Sequence, residues 1–279
     1  MSTVKQSHII PKCILHRHAT KSREQGEAHF AWIHNTKTHH EQYISIESQC
    51  AKRYIYELRD ESGHIIEEAK NLIENKLAKL EAEVSNILQK CQQQSGLTEK
   101  ERFLLAVFTT LQILRTPEMI QINTEWYAQN APRHTPTQHQ RMVLLSSLCL
   151  LPDKEQSWIF HAALNWICTK QIVIWQAPFG NYFILNKQRP VCVLTPTKLS
   201  EPQYQTIIFP ISSTQCLAFV CDNGVELPLY QTASSEYVDF INAYNYHNNT
   251  DYVYCKYIVS SLPFYSKLNR RTQTTEFTP

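Results

Sequence analysis

Glycine is scarce in this chain, with five residues in 279. A loop that cradles phosphate on backbone amides needs several glycines close together, and neither GxGxxG nor GxxxxGK[ST] occurs. Nucleotide sites of those two kinds are excluded. Paired cysteines are missing as well: the nine cysteines form no CxxC, and the nearest two, Cys216 and Cys221, are separated by four residues. An odd count without an export signal reads as reduced thiols, most of them buried as small hydrophobes. Long apolar runs are also absent. MVLLSSLCLL at residues 142–151 is too short to span a bilayer, and residues 1–22 lack the uninterrupted apolar core of a signal peptide. The expectation is a cytoplasmic protein with no membrane partner. A net charge of +2 excludes a chain that coats a polyanion along its whole surface, although a local basic patch stays open. No HExxH occurs, nor a serine nucleophile on a strand-turn-helix elbow.

What is present is a large core, since 43% of the residues are hydrophobic. Residues 8–60 alternate short apolar runs (HIIPKCIL, HFAWI, QYISI) with polar, histidine-rich joints, which predicts a β-rich or irregular opening. From Ile65 the apolar residues recur every three or four positions as far as Cys91, predicting a helix of about 27 residues that ends near Gly96. Thr98 and Glu101 then form a capping box. The helix it opens is apolar nearly all round from Phe103 to Leu114, and Pro117 kinks or ends it. Further helices are expected at about 137–150 and 154–169, joined by Leu-Pro-Asp at 151–153. After Lys170 the period becomes that of strands: QIVIWQA, YFILN, VCVLT, QTIIFPI, QCLAFVC and, past a helix at 235–247, DYVYCKYIV. YFILNKQRPVCV at 182–193 reads as a hairpin turning at Pro190. The fold class is α+β: a β-rich or irregular N-terminal segment, central long helices and a mostly antiparallel C-terminal sheet, as a single domain over 1–265 with a frayed tail at 266–279.

Seven of the twelve histidines fall in the first forty residues, among them His8, His16, His18, His34 and His39, but their spacings match no recognised zinc set. Gln112 and Arg115 share one face of the apolar helix, where a buried guanidinium must meet a carboxylate or an anionic ligand. Glu74 and Glu81, seven apart on the preceding helix, are the carboxylates within reach. Either they clamp two helices together or they line a pocket. Trp175, Phe179, Tyr182 and Phe183 are candidates to stack on a base, with the core as the plainer destination.

A series of short motifs carries a resemblance: HIIPKCIL at 8–15, IENKLAKLE at 73–81, LQILRTP at 111–117, FILNKQRPV at 183–191, IIFPIS at 207–212 and VDFINAYNYHNNTDYVYCK at 238–256. In this order they resemble the bacterial family called domain of unknown function 4238. The resemblance implies no reaction and no cofactor. It does single out the polar residues inside family motifs, namely His8, Glu74, Glu81 and Arg115 as catalytic candidates. Where the family usually reads Phe-Ile-Thr-Ser-Asp-Asn-Pro-Val, this chain has Lys187, Gln188 and Arg189 before Pro190 and no acid. Lys187 and Arg189 therefore become candidate anion-binding groups, and no metal is assigned to this turn. Two readings follow. One is a nucleic-acid-directed protein of phage-defence or toxin type, a hydrolase on RNA or DNA. The other is a non-catalytic interaction or ligand-sensing protein, with a protein partner, whose site has lost its acid.

Overall fold

The computed structural model describes residues 7–21, 28–46, 51–52, 55–148, 157–194, 205–221, 224–247 and 251–273. The fold is α+β. By contact density the chain divides into two compact units, each assembled from three stretches: Met1–Ile9, Cys50–Gln89 and Leu97–Cys168, and then Ile10–Gln49, Lys90–Gly96 and Thr169–Pro279.

The first unit is mainly helical. Its short ladder pairs β1 (Ser7–His8) with β5 (Ala51–Lys52). Helix α2 (Leu72–Gln92) buries Ile73, Leu77, Leu80, Val84, Ile87, Leu88 and Cys91, the stripe that the periodicity predicts. It begins seven residues later than expected from the sequence. Asn71 takes a left-handed φ of 60°, which breaks the helix, and its amide donates to the Glu57 carboxylate at 3.2 Å instead of continuing a helical ladder. The capping box is present: the Glu101 amide donates to Thr98 Oγ1, and the Glu101 carboxylate accepts the Thr98 amide. It opens α3 (Glu99–Leu114), whose Leu105, Phe108 and Leu111 are fully buried. Pro117 does not kink α3 but starts α4 (Pro117–Asn130) after a 72° bend, with Thr116 capping the new helix through the Met119 amide. Proline is suited to a first turn, where its missing N–H has no partner to lose. Helices α5 (Pro136–Leu148) and α6 (Trp158–Cys168) pack with α3, and α4 packs on α5. The joint at 151–153 lies outside the described residues. Among the described residues no single helix is long and apolar enough to cross a membrane.

The second unit opens with α1 (Lys12–Leu15) and carries two sheets. In the first, β6 (Lys170–Gln176), β8 (Cys192–Leu194), β9 (Thr206–Pro210), β10 (Gln215–Cys221) and β11 (Tyr230–Thr232) run in the order β11-β6-β10-β9-β8, antiparallel except for β11 on β6. The second joins the two ends of the chain. β3 (His29–Asn35) pairs with β2 (Thr20–Lys21), β4 (Glu41–Ser45) and β12 (Tyr252–Cys255), and β12 also carries β7 (Leu185–Asn186).

The segment at 182–193 is not a hairpin. β7 belongs to the second sheet and β8 to the first, so Pro190 lies on a crossover between them. Alternation of side chains makes this possible, because neighbours on an extended chain face opposite ways. Phe183 enters the apolar cluster under the first sheet, with Cys192, Ile208, Cys216 and Ala218, while Ile184 enters the other, with Val253, Cys255, Leu262 and Phe264. Helix α7 (Ser235–His247) serves both, giving Val238 and Ile241 to the first cluster and Tyr246 to the second.

The crossover's backbone lacks strand partners over part of its length, and the carboxamides of α7 replace them. The Ile184 amide donates to Asn242 Oδ1 at 3.0 Å, Asn242 Nδ2 donates to the Tyr182 carbonyl at 2.7 Å, and Asn245 Nδ2 donates to the Ile184 carbonyl at 3.4 Å, while Asn186 Nδ2 donates in return to the Asn245 carbonyl at 2.9 Å. Asn186 Oδ1 accepts the Gln188 and Arg189 amides, which closes the turn. Residues 266–273, expected to fray, are the continuation of α8 (Pro263–Gln273), anchored where Phe264, Tyr265 and Leu268 pack on the second cluster. Residues 274–279 lie outside the described residues.

Two predictions follow from these buried polar groups. Asn242→Ala strands the buried Ile184 amide and Tyr182 carbonyl and should cost about 1–3 kcal/mol per orphaned group in chemical denaturation. His18, fully buried, donates from Nε2 to the Pro210 carbonyl at 3.1 Å, and burial holds its pKa down at about 4. Unfolded, it titrates near about 6.5, so between those values the unfolded chain binds a proton that the folded chain refuses. Its contribution is therefore full above about pH 6.5 and is lost as pH falls towards 4, by about 3 kcal/mol in all. His18→Gln should flatten the fall of Tm between about pH 7 and pH 4.

Candidate functional site

The six residues singled out from the sequence belong to both units. In the first unit Glu81 and Arg115 meet directly. Arg115 caps the C-terminus of α3, is 1% exposed, and donates from Nη1 to Glu81 Oε1 at 2.7 Å and from Nε to the Tyr56 hydroxyl at 3.1 Å. The Tyr56 hydroxyl in turn donates to the Arg115 carbonyl at 3.1 Å, and the ring lies under the guanidinium. Burial works against the guanidinium's charge, yet Tyr56 and Glu81 hold its pKa above the ordinary value. Burial also raises the Tyr56 pKa, and the negative charges of Glu74 and Glu81 add to that effect. Glu74, Glu81 and Arg115 thus form one electrostatic group with Tyr56, a residue that the sequence reading missed. Its geometry is that of a clamp between α2 and α3. Gln112, one turn before Arg115, is buried too. His8 lies in β1 opposite Ala51, and its side chain is outside the described residues. Replacing Glu81 by Gln leaves the buried guanidinium without its carboxylate and should cost about 3 kcal/mol in urea denaturation. Replacing both partners, Glu81→Leu with Arg115→Met, should cost less than that single change, because a buried pair exchanged for apolar groups is often near neutral.

In the second unit the turn after β7 holds Lys187 and Arg189. The Lys187 amide donates to the Tyr252 carbonyl, and its ammonium lies 4.7 Å from the centre of the Tyr252 ring. The Arg189 guanidinium acts electrostatically on Tyr244 of α7, whose pKa is raised chiefly by burial. Of the aromatic residues considered for stacking, Phe183 is buried, Trp175 packs edge-on against Tyr237, Tyr182 lies against Tyr257, and Phe179 is exposed.

Register sets what surrounds Lys187. Tyr252 pairs with Asn35, Val253 with Asn186, and His34 with Glu41. The end of β7, the start of β12 and the turn from β3 to β4 therefore share one end of the second sheet, and that turn bears Lys37, His39 and His40. Lys37 is paired with Asp251 at 2.6 Å.

Behind this end lies a chain of polar contacts that the sequence reading missed. His34 is completely buried, with Nδ1 3.1 Å from Glu41 Oε1 and Nε2 2.9 Å from the Tyr246 hydroxyl. Glu41 also accepts the Ser260 amide and, at 2.6 Å, its hydroxyl. The Tyr246 oxygen lies 3.2 Å from His39 Nδ1, and the Tyr265 hydroxyl lies 3.1 Å from the same nitrogen. His39 itself is exposed and takes a left-handed φ of 57°, a conformation that histidine enters more readily than most residues with a side chain. Burial lowers the His34 pKa, an effect that Glu41 partly offsets. Burial pushes the Glu41 pKa up, but the Ser260 and His34 hydrogen bonds prevail and hold it below the usual carboxylate value. The pair is thus a neutral imidazole on an ionised carboxylate. Burial, reinforced by Tyr265, raises the Tyr246 phenol well above its ordinary range. The one local signal was the turn itself, which sets His34 opposite Glu41, while Tyr246 lies 212 positions away from His34.

Among the described residues the N-terminal histidines do not gather at one point, although His34 and His39 share Tyr246. His16 stacks on His29 at 3.9 Å, His18 is bound to Pro210, and His34 joins Glu41. Among the described residues no group of three or more His, Cys, Asp or Glu side chains is placed to hold a metal ion. An α+β chain with a buried histidine and tyrosine and a half-buried carboxylate behind a basic turn defines a class only in outline. Comparison with known families is more specific: residues 6–257 match the model of the protein family of unknown function DUF4238, and the chain belongs to it. No curated protein and no solved structure matches the chain.

Proposed function

We propose that the protein is nucleic-acid-directed and engages phosphate at the end of the second sheet where Lys187, Arg189 and the turn at 36–40 lie. The observation that carries this reading is the register of Tyr252 opposite Asn35, which brings Lys187, held over Tyr252, next to the turn of Lys37, His39 and His40. Lys187 and Arg189 are the cations this reading relies on, since Lys37 is paired with Asp251, and cations on a strand end suit a polyanion, whose binding gains from release of its counterions. Phage defence or a toxin's attack on nucleic acid is the setting that suits such an activity.

A second reading, a non-catalytic ligand-sensing or interaction protein, draws on a different observation. The turn at 186–190 offers no acid, and Asn186 commits its side-chain oxygen to the Gln188 and Arg189 amides.

Fluorescence anisotropy with short RNA and DNA separates the two. For the first reading, affinity should fall steeply between about 50 and 200 mM salt, and Lys187→Ala and Arg189→Ala should each weaken binding across sequences and reduce the salt slope by about 1. Binding indifferent to salt and to both substitutions would remove it. Thermal stabilisation by a divalent metal would count against the second.

A further inference from the structure

We infer that His39 is a catalytic general base, held in one tautomer by the buried chain behind it, and that it cleaves RNA by activating the RNA's own 2′-hydroxyl. This rests on the nucleic-acid reading above and gives its site a substrate and a reaction.

The tautomer follows from counting hydrogens along the chain. Ionised Glu41 only accepts, so His34 must present Nδ1–H to it, and neutral His34 then has a lone pair on Nε2. That lone pair takes the Tyr246 proton across 2.9 Å, a much better fit than the Thr36 carbonyl at 3.5 Å. The Tyr246 oxygen then faces His39 with lone pairs only, a contact that is favourable only if His39 Nδ1 carries the hydrogen; the Tyr265 hydroxyl, 3.1 Å from the same nitrogen, then accepts beside it and keeps its own hydrogen for solvent. Neutral His39 is left with its lone pair on Nε2, on an exposed ring among the cations of the sheet end. A half-buried carboxylate has thereby aimed a base outwards through two side chains, His34 and Tyr246, following the logic by which a third group orients the base of a catalytic triad. When Nε2 takes a proton, the imidazolium's Nδ1–H still points at the Tyr246 oxygen, and the Glu41 charge lies behind it.

The backbone agrees with this placement: His39 takes a left-handed φ in the turn, and in that conformation its ring meets both Tyr246 and Tyr265.

RNA is the substrate that such a base can serve unaided, because the nucleophile is supplied by the substrate. His39 Nε2 removes the 2′-hydroxyl proton, the 2′-oxygen bonds to the adjacent phosphorus, and the bond from phosphorus to the 5′-oxygen breaks. The departing 5′-oxygen takes a proton from water, and His39 later returns its own to solvent. The products are a 2′,3′-cyclic phosphate and a 5′-hydroxyl. Glu41, His34 and Tyr246 act as positioning residues.

The test uses the full chain and a fluorescent RNA oligonucleotide, beside the same sequence fully 2′-O-methylated. The wild type should cut the RNA to these products and leave the methylated strand whole. His39→Gly is the informative variant, since glycine adopts the left-handed turn without strain. It should still bind RNA measurably, cut it about 100-fold or more slowly at saturating RNA, and regain activity with added imidazole. Tyr246→Phe should lower kcat without raising KM and shift the acidic limb of the rate profile, which a merely structural tyrosine would leave in place. RNA bound but left intact, wild-type cleavage by His39→Gly, or scission of the methylated strand would each overturn the inference while leaving the binding site standing. No binding of any oligonucleotide would remove both.

Discussion

Three asparagine side chains hold the second unit together, because they replace strand partners that the chain gives up. A segment leaving one sheet for another must expose amides and carbonyls between them, and a buried backbone group without a partner costs as much as a lost hydrogen bond. Asn242 both donates to and accepts from the crossover, as a neighbouring strand would, and Asn186 and Asn245 complete the set. The consequence reaches both apolar clusters. With the backbone satisfied, Phe183 and Ile184 can point into different cores, and α7 can seal both. Cys192 joins the arrangement as a weak donor to Asn245 Oδ1 at 3.0 Å, consistent with a reduced, structural thiol.

The same helix sets the geometry of the polar chain. Tyr246 follows Asn245 directly, so the residue that grips the crossover also positions the phenol between His34 and His39. Ser260, just before α8, binds Glu41 and closes the far end. Elements from residues 34 to 265 thus meet around two imidazoles, and donors and acceptors alternate along the line. Such a line has a direction, because a carboxylate at one end can only accept. In water that direction would be blurred by competing partners. In a buried site it persists and reaches the exposed ring.

The buried Arg115 is an independent constraint within the first unit. Its guanidinium cannot discharge, so the fold must surround it with acceptors, and Tyr56 and Glu81 fill that role. The arrangement joins α2, α3 and the segment preceding them by charge as well as by apolar contact.

The sequence by itself determined the elements whose causes are local: the buried stripe of α2, the capping box of α3, the late strands, α7, and the requirement that Arg115 find a carboxylate. Each rests on spacings of three to seven residues, where side-chain direction follows from backbone geometry. Only tertiary structure decided the rest. Apolar alternation at 182–193 suits a hairpin and a crossover equally, and partners at 252–254 and 206–208 made the choice. Asn71 broke the first turns of an apparently continuous helix because Glu57 was available to its amide. His34 and Tyr246 were legible as residues but not as a pair, since nothing local to either one encodes the pairing of β3 with β12 that sets α7 beside the turn. Hydrogen bonds between residues 212 apart are consequences of a core built first by apolar side chains, which is why the most chemically suggestive group in the molecule was the least visible in its sequence.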